Sequence, residues 1–274
     1  MSGILYLVAT PIGNLDDITL RAIKVLKEVD FIAVEDTRHS LKLLNHLEIS
    51  KPLISYHRHN EEIKSELLIE KLLDGKNIAL ITDAGTPGIS DPGEEIVKHA
   101  IEKDIKVVPI PGACAFVNAL IASGLDTTEF SFIGFLPLNK KNRKEKLEKI
   151  KNCSNTSILY EAPHKLISTL KDLSEILGDR KIVLAREITK IHEEFIFGTA
   201  NELLLRIENP KGEFVIIIEK SKVLEAINNE FLNNLSLEEH YKFYEKQGLE
   251  KNEIIKRIAK DRNVKKNEIY QKFI

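Results

Sequence analysis

The stretch that most constrains the fold is residues 82–93, which read Thr-Asp-Ala-Gly-Thr-Pro-Gly-Ile-Ser-Asp-Pro-Gly. It lies between the apolar run 77–81, which predicts a short buried strand, and residues 94–101, which predict a helix. Its glycines permit positive φ and close backbone approach, while its prolines stiffen the segment. Because open α/β sheets bind ligands at the carboxyl ends of their strands, we expect a binding loop here.

The length of this loop favours a binding role over a simple turn. A tight βα turn made by Gly and Pro is the structural alternative, but such a connection usually needs only about 2–6 residues. The loop has neither the Gly-x-x-x-x-Gly-Lys-Ser/Thr signature nor a Gly-x-Gly-x-x-Gly that opens a helix. We therefore expect a small ligand to contact its backbone and Asp83.

Length and charge limit what the chain can be. Its 274 residues suit two domains of ordinary size with a small appendage. With 40 Lys+Arg against 42 Asp+Glu, no global field attracts nucleic acid or membrane, so a polyanion would have to bind locally. Two cysteines without Cys-x-x-Cys spacing predict neither a disulfide framework nor a zinc site. The N-terminal apolar run is too short for a signal or a membrane span, so we expect a cytoplasmic protein that binds no membrane.

Strand and helix patterns alternate up to residue 110, which predicts a parallel sheet covered by helices. Three further turn-rich or polar segments follow predicted strands: residues 10–14, 35–39 and 111–115. We expect these segments to meet the loop 82–93 at one edge of the sheet. Capping of the next helix by Asp36 or Thr37 is the structural alternative for the second segment.

A second unit begins after residues 123–128. Predicted strands end at Glu161-Ala-Pro-His164 and at Arg186-Glu-Ile-Thr-Lys190, so polar clusters again follow strands. A histidine such as His164 is by itself more typical of packing or capping than of catalysis. Residues 140–151 contain seven bases and two acids, which is lopsided for a solvated helix face and suits phosphate binding.

The C-terminal residues show helical patterns and no strand pattern. Residues 246–272 carry nine Lys or Arg against four Asp or Glu, on two predicted short helices in the style of a helix-turn-helix. A basic appendage that binds nucleic acid fits this pattern. A dimerisation or solvated helix pair is the alternative.

Seven segments, in this order along the chain, resemble the 16S rRNA (cytidine-2′-O)-methyltransferase family of the tetrapyrrole methylase superfamily. They are residues 5–15, 33–38, 82–93, 109–113, 159–164, 186–190 and 211–215. Together they extend over most of the chain, and seven such segments in this order are specific to this family.

The resemblance implies an α/β fold with two α/β/α domains, a cleft between them and a small C-terminal helical domain. The expected limits are residues 1–112, 113–224 and 230–274. S-adenosylmethionine would lie in the cleft of a homodimer. The methyl group would go to the ribose 2′-oxygen of a cytidine in the decoding centre of the small ribosomal subunit, with no role for DNA.

The resemblance also implies site residues. The cofactor would contact Pro11, Asp83, Ala84, Gly85, Thr86, Ile89, Ser90, Ala113, Cys114, Ala115, Tyr160 and Gly212. The candidates for catalysis or ribose positioning are Asp36, Arg38, Glu161, Glu187 and Lys190, with no metal. We expect Glu187 or Lys190 to act on the ribose, and Asp36 with Arg38 to orient RNA.

Physical chemistry is compatible with this set. A sulfonium donor already carries a good leaving group, so in-line positioning supplies most of the catalysis and a base takes one weakly acidic proton. Two alternatives stay open: methylation of a tetrapyrrole or another small molecule, and a ligand-sensing regulator that binds RNA without turnover.

Overall fold

The computed structural model describes residues 2–221, 232, 234–246 and 248–273. The first part of the chain forms one sheet with its helices. Its elements are β1 (Ile4–Val8), a 3-10 turn (Leu15–Asp17), α1 (Leu20–Glu28), β2 (Phe31–Val34), α2 (Thr37–His46), β3 (Leu53–Ser55), α3 (Glu61–Leu73), β4 (Ile78–Ile81), α4 (Glu94–Glu102) and β5 (Lys106–Ile110).

The first sheet is parallel throughout, in the order β3-β2-β4-β1-β5. The central strand β4 reads Ile-Ala-Leu-Ile with every residue buried, as expected where helices cover both faces. The parallel sheet predicted from the alternating pattern is confirmed. Since all five strands end at one edge, the loops after β1, β2, β4 and β5 lie there together.

The second sheet contains strands of both directions. Its elements are α5 (Ala115–Ala122), β6 (Phe130–Phe135), α6 (Lys140–Lys151), β7 (Thr156–Glu161), α7 (Pro163–Leu177), β8 (Lys181–Arg186), β9 (Glu194–Thr199), α8 (Ala200–Arg206) and β10 (Phe214–Ile218).

The strand order of this sheet is β6-β7-β10-β8-β9, with β10 antiparallel to both of its neighbours. Phe214 at the start of β10 therefore pairs with Glu161 at the end of β7 and with Arg186 at the end of β8. One edge of the sheet thus combines the carboxyl ends of β6, β7 and β8 with the amino end of β10. The sequence did not predict this mixed order.

In the described residues after the second sheet, the structure defines the bounds of α9 (Leu237–Glu245), α10 (Lys251–Asp261) and α11 (Lys266–Tyr270). They enclose a polar group at their centre. His240 is fully buried, the Tyr244 hydroxyl donates to Asp261 Oδ2 at 2.7 Å, and Arg262 Nε donates to His240 Nδ1 at 3.3 Å. Burial lowers the pKa of His240, so its imidazole is neutral and donates from Nε2 to Asp261.

The sequence predicted two of these helices and missed α9. A signal was present, because Ser236 and Glu239 form the reciprocal capping box at its N-terminus. The two sheets and the terminal helices confirm the expected fold class. The domain limits stay a prediction, and the expected limits at 224 and 230 lie outside the described residues.

No helix in the described part of the chain is both long and apolar enough to cross a membrane.

Truncation of a core leucine in the first sheet tests the packing. Leu80 on β4 is fully buried, whereas Leu20 on α1 is 87% exposed. We predict that Leu80→Ala lowers the free energy of unfolding by about 2–5 kcal/mol, through lost transfer energy and a residual cavity. Leu20→Ala, the matched control, should change it by less than about 0.5 kcal/mol. Denaturant unfolding at equilibrium measures both, and equal effects would contradict this core.

Candidate active site in the cleft between the two sheets

A cavity of about 590 Å³ lies between the carboxyl edge of the first sheet and the mixed edge of the second. Both parts of the chain supply its walls. The first part contributes Ile12, Glu35, Asp83, Ala84, Gly85, Thr86, Ile89, Ser90 and Asp91. Later residues contribute Cys114, Ala115, Phe135, Tyr160, Glu161, Ala162, Pro163, His164, Ala185, Glu187, Ile188, Lys190, Glu213, Phe214 and Val215.

Hydrogen bonds join three loops of the first sheet into one wall. The Thr10 amide donates to the Gly85 carbonyl at 2.8 Å, and the Gly85 amide donates back at 3.1 Å. The Thr86 hydroxyl donates to the Ala113 carbonyl at 3.1 Å. Gly85 has a φ of +85°, and a Cβ there would meet Ile12 Cγ2 at 3.3 Å. The loop geometry therefore depends on a glycine at this position.

Three carboxylates line the same wall of the cavity: Glu35, Asp83 and Asp91. Burial and then the nearby charge of Glu35 raise the pKa of Asp91 to about 6, against the opposing charge of Arg58. Burial and the charge of Asp83 also raise the pKa of Glu35. Because three carboxylates lie together here, this wall is suited to a ligand with positive charge.

The pair Asp36 and Arg38 does not line the cavity. Asp36 caps α2 by accepting from the Arg38 amide at 2.8 Å, and Arg38 Nη2 lies 2.9 Å from Asp36 Oδ2. The Arg38 contacts lower the pKa of Asp36 to about 2. The structure thus shows the capping alternative in place, and the expected role of the pair in orienting RNA stays a prediction.

Tyr160 connects the second sheet to the helix that follows the first. The Phe116 amide, in α5, donates to the Tyr160 hydroxyl at 3.3 Å. The ring also lies 5.0 Å from Phe132 and 5.7 Å from Phe135, measured between ring centroids. Burial raises the pKa of Tyr160, so it is a neutral phenol that holds one wall of the cavity.

Glu161 is 5% exposed, and both of its oxygens are occupied. Oε1 accepts from the Ala162 amide at 3.0 Å, and Oε2 accepts from the Thr169 hydroxyl. Arg143 in turn donates to the Thr169 oxygen at 2.8 Å and to Asp172 Oδ2 at 2.7 Å. This network makes Glu161 a structural connector between β7 and α7. It also occupies Arg143, one of the seven basic residues of 140–151, in a structural role.

Lys190 is held at the opposite wall by two carboxylates. Its Nζ donates to Glu187 Oε1 at 2.9 Å and to Glu213 Oε2 at 3.1 Å. Burial alone would favour the neutral amine, but these bonds outweigh it and raise the pKa of Lys190. Hydrogen bonds from the Glu213 amide and Lys190 likewise outweigh burial and lower the pKa of Glu187. The site therefore contains an ammonium group next to a carboxylate.

The backbone at this wall is strained. Glu187 has a φ of +48° and Thr189 has a φ of +67°, which non-glycine residues rarely adopt. A Cβ on Gly212 would lie 2.4 Å from Glu187 Cδ, and a Cβ on Gly13 would lie 2.4 Å from Lys190 Cγ. Glycines thus make room for both side chains of the Glu187–Lys190 pair.

Most of the residues singled out from the sequence come together here. Lining the cavity are Asp83, Ala84, Gly85, Thr86, Ile89, Ser90, Cys114, Ala115, Tyr160, Glu161, Glu187 and Lys190. Pro11, Ala113, Gly212, Asp36 and Arg38 do not line it. Gly212 instead borders a neighbouring, more open depression.

Sequence reasoning missed several lining residues, among them Asp91, Phe135 and Glu213. Asp91 lies inside the loop 82–93, and its position between Ser90 and Pro92 was the available signal. Phe135 and Glu213 lie at strand ends next to glycines. In the described part of the chain, no group of three His, Cys, Asp or Glu is arranged to hold a metal ion.

Solved structures share this fold at low sequence identity. A diphthine synthase is 18% identical with a TM-score of 0.62, covering 80% of this chain and 90% of that one. A uroporphyrin-III-C-methyltransferase from Thermus thermophilus is 20% identical with a TM-score of 0.55, covering 80% of this chain and 93% of that one.

Comparisons of sequence find relatives with much higher identity than these solved structures. The model of the tetrapyrrole (corrin/porphyrin) methylases matches residues 4–204. The ribosomal RNA small subunit methyltransferase I of Halalkalibacterium halodurans is 50% identical over 270 residues, covering 98% of this chain and 93% of that protein. The protein of the same name from Bacillus subtilis is 50% identical over 274 residues, covering 99% of this chain and 94% of that protein. The chain therefore belongs to the tetrapyrrole (corrin/porphyrin) methylase family, among its ribosomal RNA small subunit methyltransferases I.

Proposed function

We propose that this protein transfers a methyl group from S-adenosylmethionine to the ribose 2′-oxygen of a cytidine in 16S rRNA of the small ribosomal subunit. The main support for this proposal is how much of the chain the ribosomal RNA methyltransferase relatives cover. The family model ends at residue 204, whereas the relatives named for ribosomal RNA cover 98–99% of the chain. The match to these relatives thus extends through the segment that contains the basic C-terminal helices. The proposed setting is the cytoplasm, where small subunits are assembled.

The cofactor would bind against the first-sheet wall. Its contacts would be the expected set: Pro11, the segment 113–115, Tyr160 and Gly212, and, from the loop, Asp83, Ala84, Gly85, Thr86, Ile89 and Ser90. S-adenosylmethionine carries a net positive charge, which the carboxylates Glu35, Asp83 and Asp91 would attract. Gly85 and its neighbours would offer backbone amides and carbonyls to the uncharged parts of the cofactor.

The reaction would take place at the opposite wall. The 2′-oxygen attacks the methyl carbon, the carbon–sulfur bond breaks towards sulfur, and the ribose hydroxyl loses its proton. Lys190, already protonated, would stabilise negative charge on the 2′-oxygen rather than accept that proton. Both hydrogen bonds to the Glu187 carboxylate end on Oε1, which supports the proposal that Oε2 would take the proton.

RNA would be held by local basic surfaces, because the net charge is only −2. The surfaces are α6 and the terminal helices α10 and α11. We propose a homodimer, which would double this footprint on an assembled subunit.

The direct test is transfer of labelled methyl to unmodified small ribosomal subunits, followed by alkaline hydrolysis. A 2′-O-methyl group blocks cleavage at its own nucleotide, so the label should appear in one alkali-resistant dinucleotide that contains cytidine. Label in an alkali-sensitive product would place the methyl on a base. No RNA label despite cofactor binding would contradict the RNA substrate and favour a small-molecule acceptor.

Cofactor affinity should depend on pH. Because Asp91 titrates near pH 6, its carboxylate is neutral below that value and charged above it. We predict that the affinity for S-adenosylmethionine rises about tenfold between about pH 5 and about pH 7, as the wall gains negative charge. Isothermal calorimetry measures this.

S-adenosylhomocysteine, which lacks the sulfonium charge, is the matched control ligand and should show a smaller dependence. Asp91→Asn should flatten the profile for S-adenosylmethionine. An unchanged profile in Asp91→Asn would contradict the charge argument.

Removing the Lys190 ammonium should slow the chemical step. We predict that Lys190→Gln lowers kcat by about 10²–10³-fold, as for loss of one donor to a developing oxyanion, while cofactor affinity changes little. Lys190→Arg should recover part of the rate. Lys106→Gln, which removes an exposed lysine at the start of β5, is the control. Equal rates for Lys190→Gln and the control would exclude Lys190 from the reaction.

A further inference from the structure

A β-bulge in the edge strand β6 determines which way the aromatic residue at its end points. Phe132 pairs with Ile158, but the register then shifts, so that Gly134 pairs with Leu159 and Phe135 with Tyr160. In a regular strand, Phe132 and Phe135 would face opposite sides of the sheet. The extra residue brings Phe135 to the side of Tyr160, which is the side of the cavity.

Gly134 makes this bulge possible. Its φ is +70°, in the left-handed region, and a Cβ on it would lie 3.1 Å from Ser90 Oγ. A larger residue would therefore strain the backbone and press against the loop 82–93. The bulge therefore lies close to the other wall of the cleft, where a side chain at this position would have little space.

The side chain of Phe135 is unusually exposed to solvent for an aromatic residue that lines a cavity. Three aromatic residues line the cavity: Phe135 is 58% exposed, Phe214 is 3% exposed and Tyr160 is half-buried. The ring of Phe135 meets Tyr160 at an interplanar angle of 62°. Tyr160 thereby supports one side of the Phe135 ring at the cavity mouth.

Positive charge follows Phe135 closely in the chain. The segment after Phe135 leads into α6, whose first turns carry the exposed Lys140, Lys141 and Lys144. Arg143 differs, because it is bound to Asp172 and Thr169. An exposed aromatic ring together with exposed lysines a few residues away is a combination that binds single-stranded nucleic acid, by base stacking and phosphate contacts.

We propose that Phe135 is the stacking platform for the nucleobase of the target nucleotide, with Lys140, Lys141 and Lys144 holding the adjoining phosphates. The proposal rests on the proposed RNA substrate. A base stacked on Phe135 at the cavity mouth places its own ribose inward, towards Lys190 and the cofactor. A nucleotide paired in a helix cannot enter, so the base leaves its stack in the RNA and Phe135 replaces the lost contact.

Substitution of Phe135 tests the proposal kinetically. Phe135→Ala should lower kcat/KM for small subunits by about 5- to 150-fold, the range for loss of one base–aromatic stack. Phe135→Tyr should retain most of the activity, since it keeps the ring. Cofactor affinity should stay within about twofold in both variants. Phe197→Ala is the matched control, because Phe197 is 51% exposed but lies on the edge strand β9 and does not line the cavity.

A spectroscopic readout separates stacking from a structural effect. The chain contains no tryptophan, so Phe135→Trp introduces a single fluorophore. Small subunits should quench its emission and preserve methylation, whereas emission from Phe197→Trp should not change. Binding without quenching at position 135 would overturn the proposal.

The outcomes distinguish this inference from the proposed function. If the unaltered protein methylates RNA and Phe135→Ala does so with the same kcat/KM, only the stacking role fails. If Phe135→Ala loses cofactor affinity in parallel with activity, Phe135 belongs to the cofactor site and the inference is overturned. If the unaltered protein binds cofactor and methylates no RNA, the proposed function itself fails.

Discussion

The width of the cleft depends on glycines that let the two sheets approach each other. The side chain of Lys190, from the second sheet, lies where a Cβ on Gly13 of the first sheet would be. At a second contact, Ser90 of the first sheet lies 3.1 Å from the Cβ position of Gly134. A larger residue at Gly13 would overlap Lys190, and one at Gly134 would crowd Ser90. The two glycines thus allow the polar edges of both sheets to lie around one cavity.

The two walls of this cavity carry different charged groups. On one side, burial and neighbouring carboxylates, Asp83 among them, raise the pKa of Glu35 and Asp91. On the other side, Lys190 is kept protonated by its two carboxylate partners. A cationic donor would be attracted by the first wall, and the Lys190 ammonium would stabilise negative charge on the acceptor oxygen. Methyl transfer between them requires no metal because positioning is the main requirement.

Sequence patterns predicted the fold better than the site. The apolar run of β4 and the turn-rich loop after it were sufficient for a parallel sheet with a binding edge, since both features are local. The position of β10 between β7 and β8 was not predictable, because pairing between distant strands leaves no local signal. For the same reason Glu213, which meets Lys190 across two strand ends, was missed. Asp36 shows a different limit, because the structure shows it capping α2 and its expected role in orienting RNA stays a prediction.

One cofactor molecule would contact the edges of both sheets. Hydrogen–deuterium exchange of the full chain, with and without S-adenosylmethionine, measures which segments the cofactor protects. We expect slower exchange both in the loops 10–13 and 82–93 of the first sheet and in the segments 159–161 and 212–214 of the second. Protection restricted to the loops of one sheet, with no change in the other, would contradict a site built across the cleft.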